Sequence, residues 1–223
     1  MAQALFSRLV AASPAAWRGY TRHDFVLRLA GGELPEACFR HYLIQDYLFL
    51  GHFARAWGLA IYKSDTPAEM RRAQRFVAAT LDVEIGLHIG YCRGWGLSEA
   101  AMAAAPEAAQ TIAYTRFVLD RGVAGDRLDL EVALAPCIVG YALIAAERIA
   151  DPATRQGGNP YREWLDMYAG RQYQELAHEA EAALDELFAR RGGEARFPSL
   201  AADFATATRL EADFWQMGLD AGR

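Results

Sequence analysis

PEACFRHYLIQDYLFLGHFARAWGLAIYK, running from Pro35 to Lys63, decides the fold class. Its apolar side chains Phe39, Tyr42, Leu43, Tyr47, Leu50, Phe53, Ala54, Trp57 and Ile61 recur every three or four residues, the period of one helix face rather than of a strand. The stretch predicts one long helix. Outside it, breaking residues are sparse and widely spaced, near Gly31-Gly32, Ser64-Asp65-Thr66-Pro67, Gly94-Trp95-Gly96, Pro106, Gly122 to Gly125, Gly157-Gly158-Asn159-Pro160 and Gly192 to Pro198. Long intervals between breaks are a helical signature. Further helices are predicted from Pro67 to about Cys92, with Ser64, Asp65 and Thr66 as capping candidates, and over Pro106 to Asp120, Leu130 to Ala150, Tyr161 to Arg190 and Leu200 to Leu219. No alternating run with turn chemistry suggests a hairpin, and no internal repeat is present. The expected architecture is an all-α helical bundle, able to carry a site between facing helices.

A chain of 223 residues with 53% hydrophobic content can bury a full core as one compact domain or a tightly merged pair; no second domain is required, so one domain over residues 1–223 is expected. The net charge of -5 is spread along the chain without a Lys/Arg run, so nucleic acid is not an expected partner. The first residues lack the basic-then-apolar pattern of a signal peptide, and no charge-free stretch reaches membrane-spanning length, so no membrane association is expected. Cys38, Cys92 and Cys137 are odd in number and form no CxxC pair, which argues against a disulfide framework or structural zinc and fits a reducing cytoplasm.

Polar residues on apolar helix faces are the candidates for chemistry. Asp46 lies mid-helix with Phe49 and Leu50 three and four residues on; it either shares a narrow solvated stripe with His41 or Gln45 or lines a pocket. Glu84 and His88 stand at i,i+4, a spacing that suits two metal ligands or a helix-surface pair. A di-iron bundle needs several carboxylate and Glu-x-x-His contributions from different helices, so no metal is expected and a hydrogen-bonded structural pair is preferred. Cys137 follows Pro136 and precedes Tyr141 by four residues; such a thiol is a buried hydrophobe or a nucleophile. Tyr114, Tyr161 and Tyr168 read singly as packing. Glu211, three and four residues before Phe214 and Trp215, either snorkels to solvent or is held in a pocket.

Taken in order, Phe39-x-x-Tyr42-x-x-Gln45-Asp46-Tyr47, Phe53-Ala54-Arg55-Ala56, Glu84-x-x-x-His88, Tyr114-Thr115, Pro136-Cys137-x-x-Gly140-Tyr141, Tyr161-x-x-Trp164-x-x-x-Tyr168 and Glu211-x-x-Phe214-Trp215 resemble the TenA family. This family is also known as thiaminase II or aminopyrimidine aminohydrolase, and the Pro-Cys pair resembles its cysteine-containing branch. The likeness runs from about Phe25 to Trp215. It implies the haem-oxygenase-like helical fold and a pocket for a 4-amino-2-methylpyrimidine. The implied activity is hydrolysis of 4-amino-5-aminomethyl-2-methylpyrimidine to the hydroxymethyl compound and ammonia, with thiamin cleavage as a second reaction.

By the same resemblance, Cys137 matches the nucleophile, Asp46 and Glu211 match two carboxylates that contact the aminopyrimidine, and Tyr114, Tyr141 and Tyr168 match pocket tyrosines. Phe49 departs from a position where many members have tyrosine, so stacking is kept and a hydroxyl is lost. No cofactor is implied, and a homotetramer is. Cys38 and Cys92 match no site and read as core. Two alternatives stand beside this reading: a non-catalytic pyrimidine-binding or regulatory protein, and a different enzyme on the same fold, such as a relative of pyrroloquinoline-quinone synthase or a metal-dependent oxidase.

Overall fold

The computed structural model describes residues 3–222. Every regular element among them is helical: α1 (Leu5–Ala12), α2 (Pro14–Thr21), α3 (Asp24–Gly31), α4 (Glu36–Tyr62), α5 (Pro67–Ala78), α6 (Ile85–Gly94), α7 (Glu99–Ala103), α8 (Ala109–Ala124), α9 (Arg127–Ala135), α10 (Tyr141–Ala150), α11 (Arg162–Ala169), α12 (Arg171–Arg191) and α13 (Phe197–Asp220). Two π-helical turns, Ala79–Glu84 and Pro136–Gly140, interrupt the α-helical ladder. The chain forms two compact units, one of Met1–Leu34 with Glu131–Gln216 and the other of Pro35–Leu130 with Met217–Arg223.

In the unit that begins at Pro35, α4 is the spine against which α5, α6 and α8 pack. Trp57 of α4 stacks on Phe76 of α5 with ring centroids 4.1 Å apart. The α5 start follows the predicted signal: Thr66 accepts the Glu69 backbone N–H at 3.3 Å, the Glu69 carboxylate accepts the Asp65 N–H at 2.9 Å, and Pro67 occupies the first turn. Arg127 reaches this same corner, where its buried guanidinium donates to Glu69 at 3.0 Å. Helix α8 starts three residues later than Pro106 because Gln45 intervenes. Its amide donates to the Pro106 carbonyl at 2.9 Å, while its oxygen accepts from the Ala108 N–H at 2.8 Å and the Thr111 hydroxyl at 2.7 Å. Gln45 thus caps a helix that has no cap of its own.

In the other unit, α10 packs on α11 and α12, and α1 packs on α12 and α2. Phe6 of α1 meets Trp17 and Phe204 edge-on at 5.5 and 5.6 Å. The buried Asn159 amide donates to the Leu29 and Ala30 carbonyls at 3.1 and 3.0 Å. Those carbonyls belong to the end of α3, where Gly32 adopts φ 71°, a left-handed conformation suited to glycine.

Three departures from the periodicity occur, and two of them have a local cause. The predicted Tyr161 to Arg190 helix is broken at Gly170, whose ψ of 148° is extended. The predicted Leu130 to Ala150 helix widens into a π turn at Pro136, because proline lacks the N–H for an α-helical bond and crowds the carbonyl four residues back. The predicted Pro67 to Cys92 helix carries the other π turn. Residues 127–150 form a helix long and apolar enough to cross a membrane, yet 89% of its most apolar stretch is buried inside the protein, as in the core helix of a globular fold.

Candidate active site

Asp46 is 3% exposed, which excludes the solvated-stripe reading. Helical spacing sets Tyr42 one turn before it, and the Tyr42 hydroxyl donates to Asp46 Oδ2 at 2.9 Å. The fully buried His88 of α6 brings Nε2 to the same Oδ2 at 2.6 Å, and its Nδ1 lies 2.7 Å from the Glu84 backbone carbonyl. A carbonyl only accepts, so Nδ1 carries a proton. Burial works against charge on this imidazole, but the hydrogen bond and negative charge of Asp46, with the charge and backbone carbonyl of Glu84, hold its pKa above the ordinary histidine value. These contacts favour the charged imidazole over the neutral one. The expected Glu84–His88 pair is corrected in this respect: His88 bonds the Glu84 backbone, and its side-chain partner is Asp46, 42 residues away.

Phe49, one turn beyond Asp46, packs on Tyr114 of α8 with ring centroids 4.9 Å apart, and on Phe53 at 5.7 Å. All three rings are buried. An open groove of about 600 Å3 in the same unit is lined by Tyr47, His52, Arg55, Glu99 and Glu107 among others. None of the predicted site residues lines it.

Cys137, Tyr141, Tyr168 and Glu211 all belong to the other unit and are buried there. Cys137 is 6% exposed within the π turn that Pro136 begins, and Glu211 is 1% exposed on α13, so the snorkelling alternative for Glu211 does not hold. The Tyr141 ring lies 4.9 Å from that of Tyr168, 5.7 Å from Trp164 and 5.2 Å from Trp215. Tyr161, offered as packing, is buried and donates its hydroxyl to the Leu34 carbonyl.

Tyr20 of α2 was not legible as part of this cluster. It is fully buried, donates its hydroxyl to the Pro136 carbonyl at 3.1 Å and stacks on Trp215 at 6.2 Å. A Cβ on Gly140 would stand 2.6 Å from the Tyr20 ring, so the glycine of Pro-Cys-x-x-Gly-Tyr is what admits it. That glycine was the available signal. The thiols differ in setting, since burial pushes Cys92 up to about 11 against the opposing charge of Arg40, while Cys38 directs its Sγ toward the Leu219 carbonyl at 3.5 Å. One Glu-x-x-His, Glu175 to His178, occurs on α12, where His178 bonds the Gln174 carbonyl at 2.6 Å. No group of three or more His, Cys, Asp or Glu side chains suited to hold a metal ion occurs among the described residues.

Residues 11–221 match the TENA/THI-4/PQQC family model. The chain is 41% identical over 219 residues to an uncharacterized protein of Haemophilus influenzae, covering 97% of this chain and 99% of that one. It is 33% identical over 202 residues to an aminopyrimidine aminohydrolase of Halalkalibacterium halodurans, covering 90% and 89% of the two. Among solved structures, a TenA family transcription regulator from Silicibacter sp. TM1040 superposes with a TM-score of 0.90 at 45% identity over 96% of each chain. The all-α architecture is accordingly of the haem-oxygenase-like type.

Proposed function

The chain belongs to the TENA/THI-4/PQQC family, and from that premise we propose that it is an aminopyrimidine aminohydrolase of the cysteine-containing branch. Its substrate is 4-amino-5-aminomethyl-2-methylpyrimidine, released as the hydroxymethyl compound and ammonia, with thiamin as a second substrate whose thiazole leaves instead. The observation that carries this reading is that Cys137, Tyr141, Tyr168 and Glu211 are all buried within one unit, Cys137 in the π-widened turn that leads into Tyr141 and the Tyr141 ring 4.9 Å from that of Tyr168. Burial of a carboxylate and two phenols is costly unless each finds a polar partner or a ligand. The 33% identity to a protein named for this activity supports the same reading.

In the proposed reaction aromatic stacking holds the flat ring, with Phe49, Tyr114, Tyr141 and Tyr168 as the ring contacts that the family resemblance implies. The Cys137 thiolate adds to the unsubstituted ring carbon beside the methylene-bearing carbon, forming a C–S bond and dearomatising the ring while Glu211 supplies a proton to ring nitrogen. The leaving amine takes a proton and departs from the methylene as ammonia. Water adds to that methylene and gives up a proton that replaces the one taken by the amine, the ring nitrogen returns its proton to Glu211, and the C–S bond breaks to release the Cys137 thiolate as aromaticity is restored. Asp46 receives the exocyclic amine. No cofactor enters this scheme. The protein works as one TenA-like domain over residues 1–223, as a homotetramer in the cytoplasm.

Cys137→Ser is expected to abolish product formation while leaving pyrimidine binding largely intact. Undiminished hydrolysis by that variant would remove the nucleophile from the scheme. A regulatory, non-catalytic reading draws on the name of the Silicibacter neighbour and on Phe49. Turnover of the aminomethyl pyrimidine beside that of thiamin separates the two, since the regulatory reading expects binding of the ring without turnover of either.

A further inference from the structure

We propose that His88 is a positioning residue that holds Asp46 as an anion, with protein donors on Oδ2, so that Asp46 meets its ligand as a hydrogen-bond acceptor and selects a ring with an exocyclic amine over one with an oxo group. The inference rests on the reading of Asp46 as a pyrimidine contact. It adds a residue that touches no ligand.

Both hydrogen bonds of Asp46 converge on Oδ2, from Tyr42 at 2.9 Å and from His88 at 2.6 Å. The imidazole cannot exchange which nitrogen faces the carboxylate, because Nδ1 is engaged by the Glu84 carbonyl at 2.7 Å. A neutral ring that kept its proton on Nδ1 would point the Nε2 lone pair at Oδ2. With His88 fully buried and Asp46 nearly so, water does not relieve that contact, and the arrangement is stable with a proton between the two groups. The groups acting on His88 are Asp46 and Tyr42 from α4 and Glu84 from the π turn. Helix α7, which also packs on α6, sets no hydrogen-bonding group against the imidazole among the described residues.

The consequence is chemical. A carboxylate whose charge is fixed in this way accepts from an amine and repels a carbonyl oxygen. A carboxylic acid would donate to a carbonyl and lose that discrimination. The state of Asp46 therefore sets the ligand class, and His88 sets the state of Asp46.

Two measurements test this. Nitrogen-15 spectra of the ligand-free protein, at about pH 7.5, should show one histidine with both ring nitrogens protonated, a signal absent from His88→Gln and converted to the neutral form in Asp46→Asn. This reading on wild type does not depend on any variant folding. Calorimetry should then compare 4-amino-5-hydroxymethyl-2-methylpyrimidine with its 4-oxo counterpart across pH. Wild type binds the amino ring more tightly, and that affinity declines as pH rises through the His88 titration. In His88→Gln the affinity falls roughly tenfold to a hundredfold near neutrality and the wild-type pH slope is lost, because the imidazole that titrates against Oδ2 is gone. Discrimination against the oxo ring narrows in the same variant. Tyr42→Phe, which removes the other donor and keeps the charge, loses less and keeps the wild-type slope. A neutral His88 in the wild-type spectrum overturns the proposal. So does a His88→Gln variant with unchanged selectivity and slope while the wild type binds the amino ring. A wild type that binds neither ring overturns the pyrimidine reading itself, and the selectivity inference with it.

Discussion

Replacing Gly140 with alanine would set a methyl group 2.6 Å from Tyr20 Cε1 and 2.8 Å from its hydroxyl oxygen. Tyr20 has little freedom to retreat, since it is stacked on Trp215 at 6.2 Å, edge-on to Trp17 at 5.8 Å and tilted against Tyr141 at 6.5 Å. Overpacking of this kind costs about 1–3 kcal/mol. Moving the ring also breaks the Tyr20–Pro136 hydrogen bond in a buried setting, at a further cost of about 1–3 kcal/mol. The helix-propensity gain of alanine over glycine offsets roughly 1 kcal/mol. The expected net loss is about 3 kcal/mol, or a fall in Tm of about 6–12 °C for a chain of this size. Urea denaturation followed by circular dichroism should measure it in the wild-type background and again with Tyr20→Ala. Tyr20→Ala is itself destabilising by about 3–5 kcal/mol, by analogy with other large aromatics, but it empties the space into which the new methyl points. There Gly140→Ala should be neutral or slightly stabilising, giving a coupling of about 3 kcal/mol. An equal cost in both backgrounds, or a cost below about 0.5 kcal/mol in the wild type, would refute the close-approach explanation of this glycine.

Arg127→Met removes the buried guanidinium that donates to Glu69 at 3.0 Å and should destabilise by about 3–5 kcal/mol, whereas Arg127→Met combined with Glu69→Leu should recover most of the loss; denaturant midpoints of the single and double variants decide it. Because the folded-state pKa of His88 is raised above 6.5, its contribution to stability is fully present below the unfolded value and is lost as pH rises through the folded one. Stability measured along that alkaline limb should fall in the wild type and lose this component in Asp46→Asn; an identical slope in the two proteins would count against the ion pair. Cys92, pushed by burial to about 11, should resist alkylation in native protein at about pH 8 and react once the chain is unfolded. Rapid native labelling at Cys92, mapped by mass spectrometry, would contradict that assignment.

The sequence made the helices with a long uninterrupted apolar stripe legible, and concealed those whose form depends on distant packing. α4 was read almost to its ends because Phe39 through Ile61 repeat a helical period, and α5 because Thr66 and Pro67 mark its start. The helices α1, α2 and α3, eight residues each, are too short for a period to stand out. Gly170 stopped a helix whose apolar spacing, through Trp164, Leu165 and Tyr168, gave no warning. In the site, Phe49 and Leu50 on its face pointed toward burial of Asp46, but helical spacing alone left a solvated stripe open until the structure showed the residue 3% exposed. Its partnership with His88 did not follow, since 42 residues separate them and Glu84 offered a nearer candidate at an equally plausible spacing. Tyr20 and Gly140 are similarly remote in sequence, and only folding brings the phenol onto the π turn. Pro136 within an apolar run announced a departure from α-helical geometry, but not that the Tyr20 hydroxyl would meet its carbonyl.

The most direct test of the account is turnover of 4-amino-5-aminomethyl-2-methylpyrimidine by purified wild-type protein and by Cys137→Ser, with the hydroxymethyl pyrimidine and ammonia both quantified. Wild type should release the two products in equal amounts, and Cys137→Ser should bind the substrate and release neither. Hydrolysis by Cys137→Ser at the wild-type rate, or a wild type that binds the pyrimidine and leaves it intact, would contradict the account.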